Sequence, residues 1–288
     1  MERLSYSIRI FKSILIIICL SVFSTSCEDE LPTTYQPQYF IEAFLESGNP
    51  IEDIRIIRSA PINVEFDYSN QLVRDAVVII TDNSGREFTL EIAEDGEQGY
   101  FFADTSYKVQ VGETYSLNVE FADGKSASGV TTVPDTFSWV QRAPDFIDYP
   151  TETEIDTAEV KVSWTKTGFY LLKSTALDTL EYGKYLEVPT DERNIRIPNE
   201  FREDSFYDNT TVWGFLPTNR TVVVWTALRW YGLHELALYR ADPNMISWFL
   251  QARGAQQFNE LLNTIDGDAF GAFGSASVIR DTSMFLFP

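Results

Sequence analysis

Tyr115, Leu117, Val119 and Phe121 alternate with Ser116, Asn118 and Glu120, the period-two pattern of a strand with one buried face. Asp123-Gly124 follows, a two-residue hairpin signal, and leads into a second strand at Lys125–Val133. Reading outward, Tyr39–Glu46 and Ile51–Arg58 flank the turn cluster Ser47-Gly48-Asn49-Pro50. Asp75–Thr81 and Arg86–Ile92 flank Asp82-Asn83-Ser84-Gly85, with Tyr100–Phe102 and Lys108–Val111 after them. Short strands separated by turn chemistry predict an antiparallel sandwich of immunoglobulin or transthyretin type over residues 39–134. Residues 135–150, with Pro144 and Pro150 and no sustained period, read as a linker.

A second β-rich, sandwich-like domain is expected over 151–288. Glu159–Trp164 alternates with Trp164 inward, Phe169–Lys173 and Leu180–Leu186 are its expected partners, and Trp213–Leu216 and Thr221–Leu228 return to strand character. Asp191–Asn209 is charged, with few apolar anchors, and predicts a long surface loop. A helical insertion is expected at about 232–262. His234–Arg240 suits a short helix, and Asp242-Pro243 supplies an N-cap and an N1 proline for one whose Met245, Ile246, Phe249 and Leu250 share a face. Gly254 would end or interrupt it, with Phe258, Leu261 and Leu262 continuing the stripe. The glycine-rich Gly267–Gly274 segment predicts tight turns before a last strand at Ser275–Arg280 and a final Met284–Phe287 segment. The whole chain is thus expected to be mostly β.

The N-terminus has a different pattern. Arg3, Arg9 and Lys12 precede the apolar run Ile14–Phe23, then Ser24-Thr25-Ser26 and Cys27. This order is that of a cleaved leader, and the run is too short to span a bilayer well. Residues 1–26 resemble a bacterial lipoprotein signal peptide with a relaxed lipobox. The resemblance implies that Cys27 takes acyl chains such as palmitate, which together would hold the protein stably on a membrane. Glu28-Asp29-Glu30 resembles the signal by which Bacteroidetes-type bacteria send lipoproteins to the outer face of the outer membrane. Residues 27–38, with Pro32 and Pro37, read as acylated cysteine and flexible tether.

Charge narrows the partners. The chain has 22 Lys+Arg against 43 Asp+Glu, a formal net charge of −21, and a leader with three bases and one acid would leave the remainder more acidic still. Such a surface repels phosphate backbones, so no nucleic-acid partner is expected. The chain has two cysteines. With Cys19 in the leader and Cys27 at its end, the folded part is expected to carry no disulfide and no cysteine metal ligand.

Candidate chemistry is sparse. His234 is the only histidine, so a two-histidine metal site or HExxH is excluded, and no GxSxG elbow accompanies it. His234 therefore reads as a helix-surface or packed residue. Carboxylates are abundant, but nothing singles out a glycosidase pair. Glu91–Asp95 and Asp266-Gly267-Asp268 hold oxygen ligands of the kind calcium takes, without a full calcium loop. No metal, cofactor or catalytic residue is assigned. Trp213, Trp225, Trp230 and Trp248, with Tyr231 and Tyr239, crowd one stretch of the chain. They suit stacking against a glycan or other small nutrient; core filling is the preferred alternative. Asp156-Thr157-Ala158 and Asp178-Thr179-Leu180 match a short O-glycosylation pattern of the same bacteria.

The order of these parts carries a wider resemblance. The APINVEF segment (Ala60–Phe66), the Val73–Leu90 hairpin, the Val111–Pro134 strand–turn series and the late Ile265–Ser277 segment resemble an uncharacterised lipoprotein family, domain of unknown function 4249. Asp268 departs from that family's late motif, where a second glycine is more usual. Its members are often encoded beside TonB-dependent outer-membrane receptors, which implies a lipid-anchored outer-membrane binding protein, facing the cell surface and accessory to nutrient uptake, and not an enzyme. The family has no established catalytic residues to carry over. The alternatives are a surface glycoside hydrolase using two carboxylates and a structural or adhesive envelope lipoprotein.

Overall fold

A computed structural model describes residues 35–93, 99–150, 159–177, 209–214, 217–225, 228, 231–252 and 263–287. The expected leader, Cys27, the acidic tract behind it, Glu94, Asp95, both glycosylation-like triplets and the expected strand at Leu180–Leu186 lie outside these. So do residues 191–208, Leu216, Trp230 and the apolar stripe from Gly254 to Leu262.

The alternating hairpin forms as its pattern dictates. Strands β7 (Thr114–Glu120) and β8 (Ser126–Thr132) pair antiparallel from Thr114↔Thr132 to Glu120↔Ser126. Gly124 sits at φ +86° in the turn and donates its N–H to the Phe121 carbonyl at 2.9 Å. On the inner face Tyr115, Leu117 and Val119 are buried. Strands β3 (Val77–Asp82) and β4 (Glu87–Thr89) extend this sheet beyond β7, and the short β16 (Asp266–Gly267) joins beyond β8. Asp82 caps the β3–β4 turn by accepting the Ser84 and Arg86 N–H groups, both at 3.0 Å. A separate ladder joins β5 (Glu91–Ile92) to β6 (Tyr100–Phe101).

The chain's main feature is a seven-stranded sheet, counted among the described residues. Its order is β13 (Thr210–Gly214), β12 (Tyr170–Ala176), β15 (Gly232–Ala241), β17 (Ala269–Phe287), β1 (Tyr39–Glu46) and β2 (Arg55–Arg58), with β10 (Phe146–Asp148) also on β17. Strands β1 and β17 run parallel, Tyr39↔Ala269 through Glu46↔Ala276. The second strand of the chain starts at Arg55 rather than Ile51, since Asp53 turns the backbone with φ +58°. A third sheet sets β14 (Thr218–Val222) and β9 (Trp139–Gln141) on either side of β11 (Lys161–Gly168).

Alternation along β1, β15 and β17 assigns the cores to faces. Ile41, Ala43, Leu45 and Phe273 pack against Val78, Ile80, Leu117 and Val119 of the first small sheet. On the same face of β17, Ile279 packs with Leu236 and Leu238 of β15 and with Val162 and Trp164 of the other small sheet. Trp164 points inward as its alternation predicts. Opposite, Leu171, Ala237, Tyr239 and Ala276 are covered by Met245 and Phe249 of helix α2 (Pro243–Ala252). A one-turn helix α1 (Tyr68–Gln71) follows β2, capped by Asp67. The fold is therefore mostly β, with a short helix near the C-terminus. Strand pairing also crosses the 135–150 stretch expected to link two domains, because β17 serves both small sheets.

Two local expectations are corrected. His234–Arg240 is strand, not helix: Leu236 and Leu238 enter one core and Ala237 and Tyr239 the other, so a central strand buried on both faces reads as a continuous apolar run. A register shift between His234 and Leu236 further breaks the alternation. His234 is buried, its Nδ1 3.0 Å from the Gly232 carbonyl oxygen. Of the expected helical stretch, α2 is what the described residues contain. The tight turns expected over Gly267–Gly274 also fail from Ala269 onward, since Ala269–Phe287 is one strand. Its glycines answer to close approach. At Gly271 (φ +131°) a Cβ would meet the Ile41 carbonyl oxygen, and at Gly274 it would stand 2.8 Å from the Met245 nitrogen.

Candidate binding site

The crowded aromatics part company in three dimensions. Trp225 is buried in the core beneath the three-stranded sheet, where Tyr149 lies edge-on to it at 5.7 Å and reaches Tyr231 at 6.3 Å. Trp248 rides on α2 at the opposite face of the large sheet, 4.9 Å from Phe44 of β1. Trp213 is on β13, and Trp230 lies outside the described residues. Tyr239 packs beneath α2. Trp225 and Tyr231 thus come together through Tyr149, while Trp248 is separated from them by the sheet.

A groove among the described residues lies elsewhere, on the three-stranded sheet. Pairing of β11 with β14 sets Lys161 opposite Val222 and Ser163 opposite Arg220, and pairing with β9 sets Gln141 beside Ser163. These residues line a groove of about 620 Å³ together with Glu159, Val162 and Thr221. The local reason is the alternation itself: Val162 and Trp164 turn into the core, so Lys161 and Ser163 must face outward. Lys161 is held by Glu159 at 3.0 Å, whereas the Arg220 guanidinium bonds no side chain among the described residues. In a chain of net charge −21, the groove presents a fixed cation with five N–H donors, flanked by the amide of Gln141 and the hydroxyl of Ser163. Such a set takes a carboxylate bidentately and hydroxyls or amides beside it.

The charged groups around helix α2 and strand β16 are satisfied internally. Arg280 bridges Glu46 at 3.0 Å and Glu235 at 3.8 Å on the α2 face, and burial pushes the Glu46 carboxyl up despite that cation. Asp242, as its place before Pro243 predicts, caps α2. Its Oδ1 accepts the Met245 N–H at 2.8 Å and the Ser275 N–H at 3.1 Å, and its Oδ2 accepts the Thr131 hydroxyl at 2.8 Å. Burial raises its pKa above the ordinary carboxylate value. These bonds tie β8, β17 and α2 together and leave Asp242 a structural role. Asp268 accepts the Ser126 N–H at 3.1 Å and holds β16 on β8. Among the described residues no group of three or more His, Cys, Asp or Glu is gathered to hold a metal ion.

Lys161, Ser163, Gln141 and Arg220 were not singled out from the sequence. Alternation marks Lys161 and Ser163 as outward-facing, but only the pairing of β9, β11 and β14 unites them with Gln141 and Arg220.

Comparison with known proteins adds a family and little else. No curated protein matches the chain. A solved structure described as "Structural insight into host cell surface retention of a 1.5-MDa bacterial ice-binding adhesin" aligns at 10% identity and a TM-score of 0.20, covering 88% of this chain and 65% of that one. The chain thus spans less than two thirds of that protein's length, and the likeness carries no functional argument. The profile of a family described as Domain of unknown function (DUF4249) matches residues 24–257.

Proposed function

The chain belongs to the DUF4249 family, and we propose that it is a lipid-anchored, surface-facing outer-membrane protein that assists a TonB-dependent nutrient-uptake system by binding. One observation carries this reading: a basic segment, an apolar run and three small residues lead directly to Cys27, and β1 starts twelve positions later at Tyr39. Several acyl chains on that cysteine, each methylene adding about 0.8 kcal/mol, would hold the protein on the membrane. The acidic tract Glu28-Asp29-Glu30 supports export to the outer face.

The groove on β9, β11 and β14 supports a binding role. Arg220 would engage a carboxylate of the receptor or of its cargo, with Gln141 and Ser163 fixing its orientation. The test is affinity capture with the full chain from detergent-solubilised outer membranes, paired with uptake measurements in a deletion strain. Wild-type protein should retain an outer-membrane receptor and Arg220→Ala should retain less. Recovery of no receptor together with unchanged uptake overturns the proposal.

A further inference from the structure

The chain enters the fold beside an unusual loop. The Gln38 N–H donates to the Ser59 hydroxyl at 2.9 Å and the Ser59 N–H to the Gln38 carbonyl at 2.8 Å, so residues 60–66 leave the fold where the segment from Cys27 arrives. Ile62 in that loop is 102% exposed, Val64 51% and Phe66 55%. These side chains are presented rather than loose. The Val64 N–H closes a turn onto the Pro61 carbonyl at 3.0 Å, and Asp67 caps α1 just beyond by accepting the Ser69 and Asn70 N–H groups.

Cations surround the base of the loop. Arg58 lies over the Tyr39 ring at 5.6 Å, Lys125 over the same ring at 5.3 Å, and Arg55 over Tyr68 at 5.8 Å. Asp53 and Asp123 pair with Arg55 and Lys125, while Arg58 has no carboxylate partner among the described residues.

We propose that Ile62, Val64 and Phe66 insert into the headgroup–acyl boundary of the membrane that carries the Cys27 anchor, with Arg58 against a lipid phosphate. The proposal rests on the anchored reading above. The residues between Cys27 and Gln38 span at most roughly 40 Å when extended, so this end of the fold is held within reach of the bilayer. Three exposed apolar side chains beside Arg58, the cation there without a carboxylate partner among the described residues, are an arrangement that interfacial binding uses, with Glu65 between Val64 and Phe66 left at the headgroup level. Ile62 stands wholly in solvent; a protein hot spot needs a matching pocket, whereas lipid conforms to any exposed side chain.

The test uses the full chain with Cys19→Ser, which leaves Cys27 as the sole thiol. That thiol is coupled to a maleimide lipid in phosphatidylethanolamine–phosphatidylglycerol vesicles containing a diazirine-acyl phospholipid, which is irradiated and mapped by mass spectrometry. The proposal expects label within Ile62–Phe66, reduced at least tenfold by Ile62→Asp with Val64→Asp, while label on residues 1–26 is unchanged. A loop without label beside a labelled leader overturns it, as does equal loop label in the double variant. Capture of a protein and no lipid by a photo-crosslinker at position 62 in cells also overturns it. Chemical coupling makes the vesicle result independent of whether cells acylate Cys27; failed acylation would sink the anchor alone.

Discussion

At the scale of single residues, Asp242 shows how much one side chain fastens. Its carboxylate accepts from Met245, Ser275 and Thr131, so Asp242→Ala removes a cap and orphans buried donors. A cap is worth about 1 kcal/mol and each unsatisfied buried group about 1–3; a loss of about 3 kcal/mol is expected, read as a lower urea midpoint at unchanged slope. Asp242→Asn keeps the Oδ1 acceptor and should cost less. Because burial raises the Asp242 pKa, the folded chain holds that proton more tightly than the unfolded chain. The stability it contributes is full below the unfolded value and is lost as pH rises through the folded one. The midpoint of Asp242→Asn should therefore gain on wild type as pH climbs from about 4. At the groove, Arg220→Ala is expected to weaken partner binding about 10- to 100-fold, the worth of a charged hydrogen bond, with stability changed by less than about 0.5 kcal/mol; titration calorimetry and urea unfolding measure the two. The cap was legible because capping is local chemistry. The dispersal of Trp213, Trp225 and Trp248 over different elements was not, since closeness in sequence says nothing about which face of a sheet a residue joins.

At the scale of elements, β17 explains where local reading succeeds and where it stops. The β7–β8 and β3–β4 hairpins declare themselves through alternation and turn residues, because both causes lie within a few positions. Strand β15 does not: buried on both faces and shifted in register at Leu236, it offers helix-like apolar spacing at Leu233, Leu236 and Ala237. Gly271 and Gly274 look like turn residues, yet what demands them is backbone from β1 and α2, far away in the chain. Gly271→Ala would force a Cβ into the Ile41 carbonyl at a φ of +131°. It should cost several kcal/mol or abolish folding, visible as loss of the cooperative melt in circular dichroism. Gly48→Ala, where a Cβ meets nothing within 4 Å despite a φ of +81°, should cost only about 1 kcal/mol.

At the scale of the whole molecule, the parallel β1–β17 pair and the shared large sheet predict one unfolding transition instead of two. The six tryptophans all lie at position 139 or later, so their fluorescence reports the later part of the chain. Leu117→Ala, in the first small sheet and fully buried, should cost about 2–5 kcal/mol and lower the tryptophan-monitored urea midpoint with it. A tryptophan signal indifferent to Leu117→Ala would mean that the two small sheets unfold separately. The proposed function turns on Cys27. The decisive measurement is the mass of the N-terminal peptide from protein isolated with the outer membrane. The account predicts a chain beginning at Cys27 and carrying acyl chains, absent in Cys27→Ser; a mature chain beginning elsewhere, or at an unmodified Cys27, contradicts it.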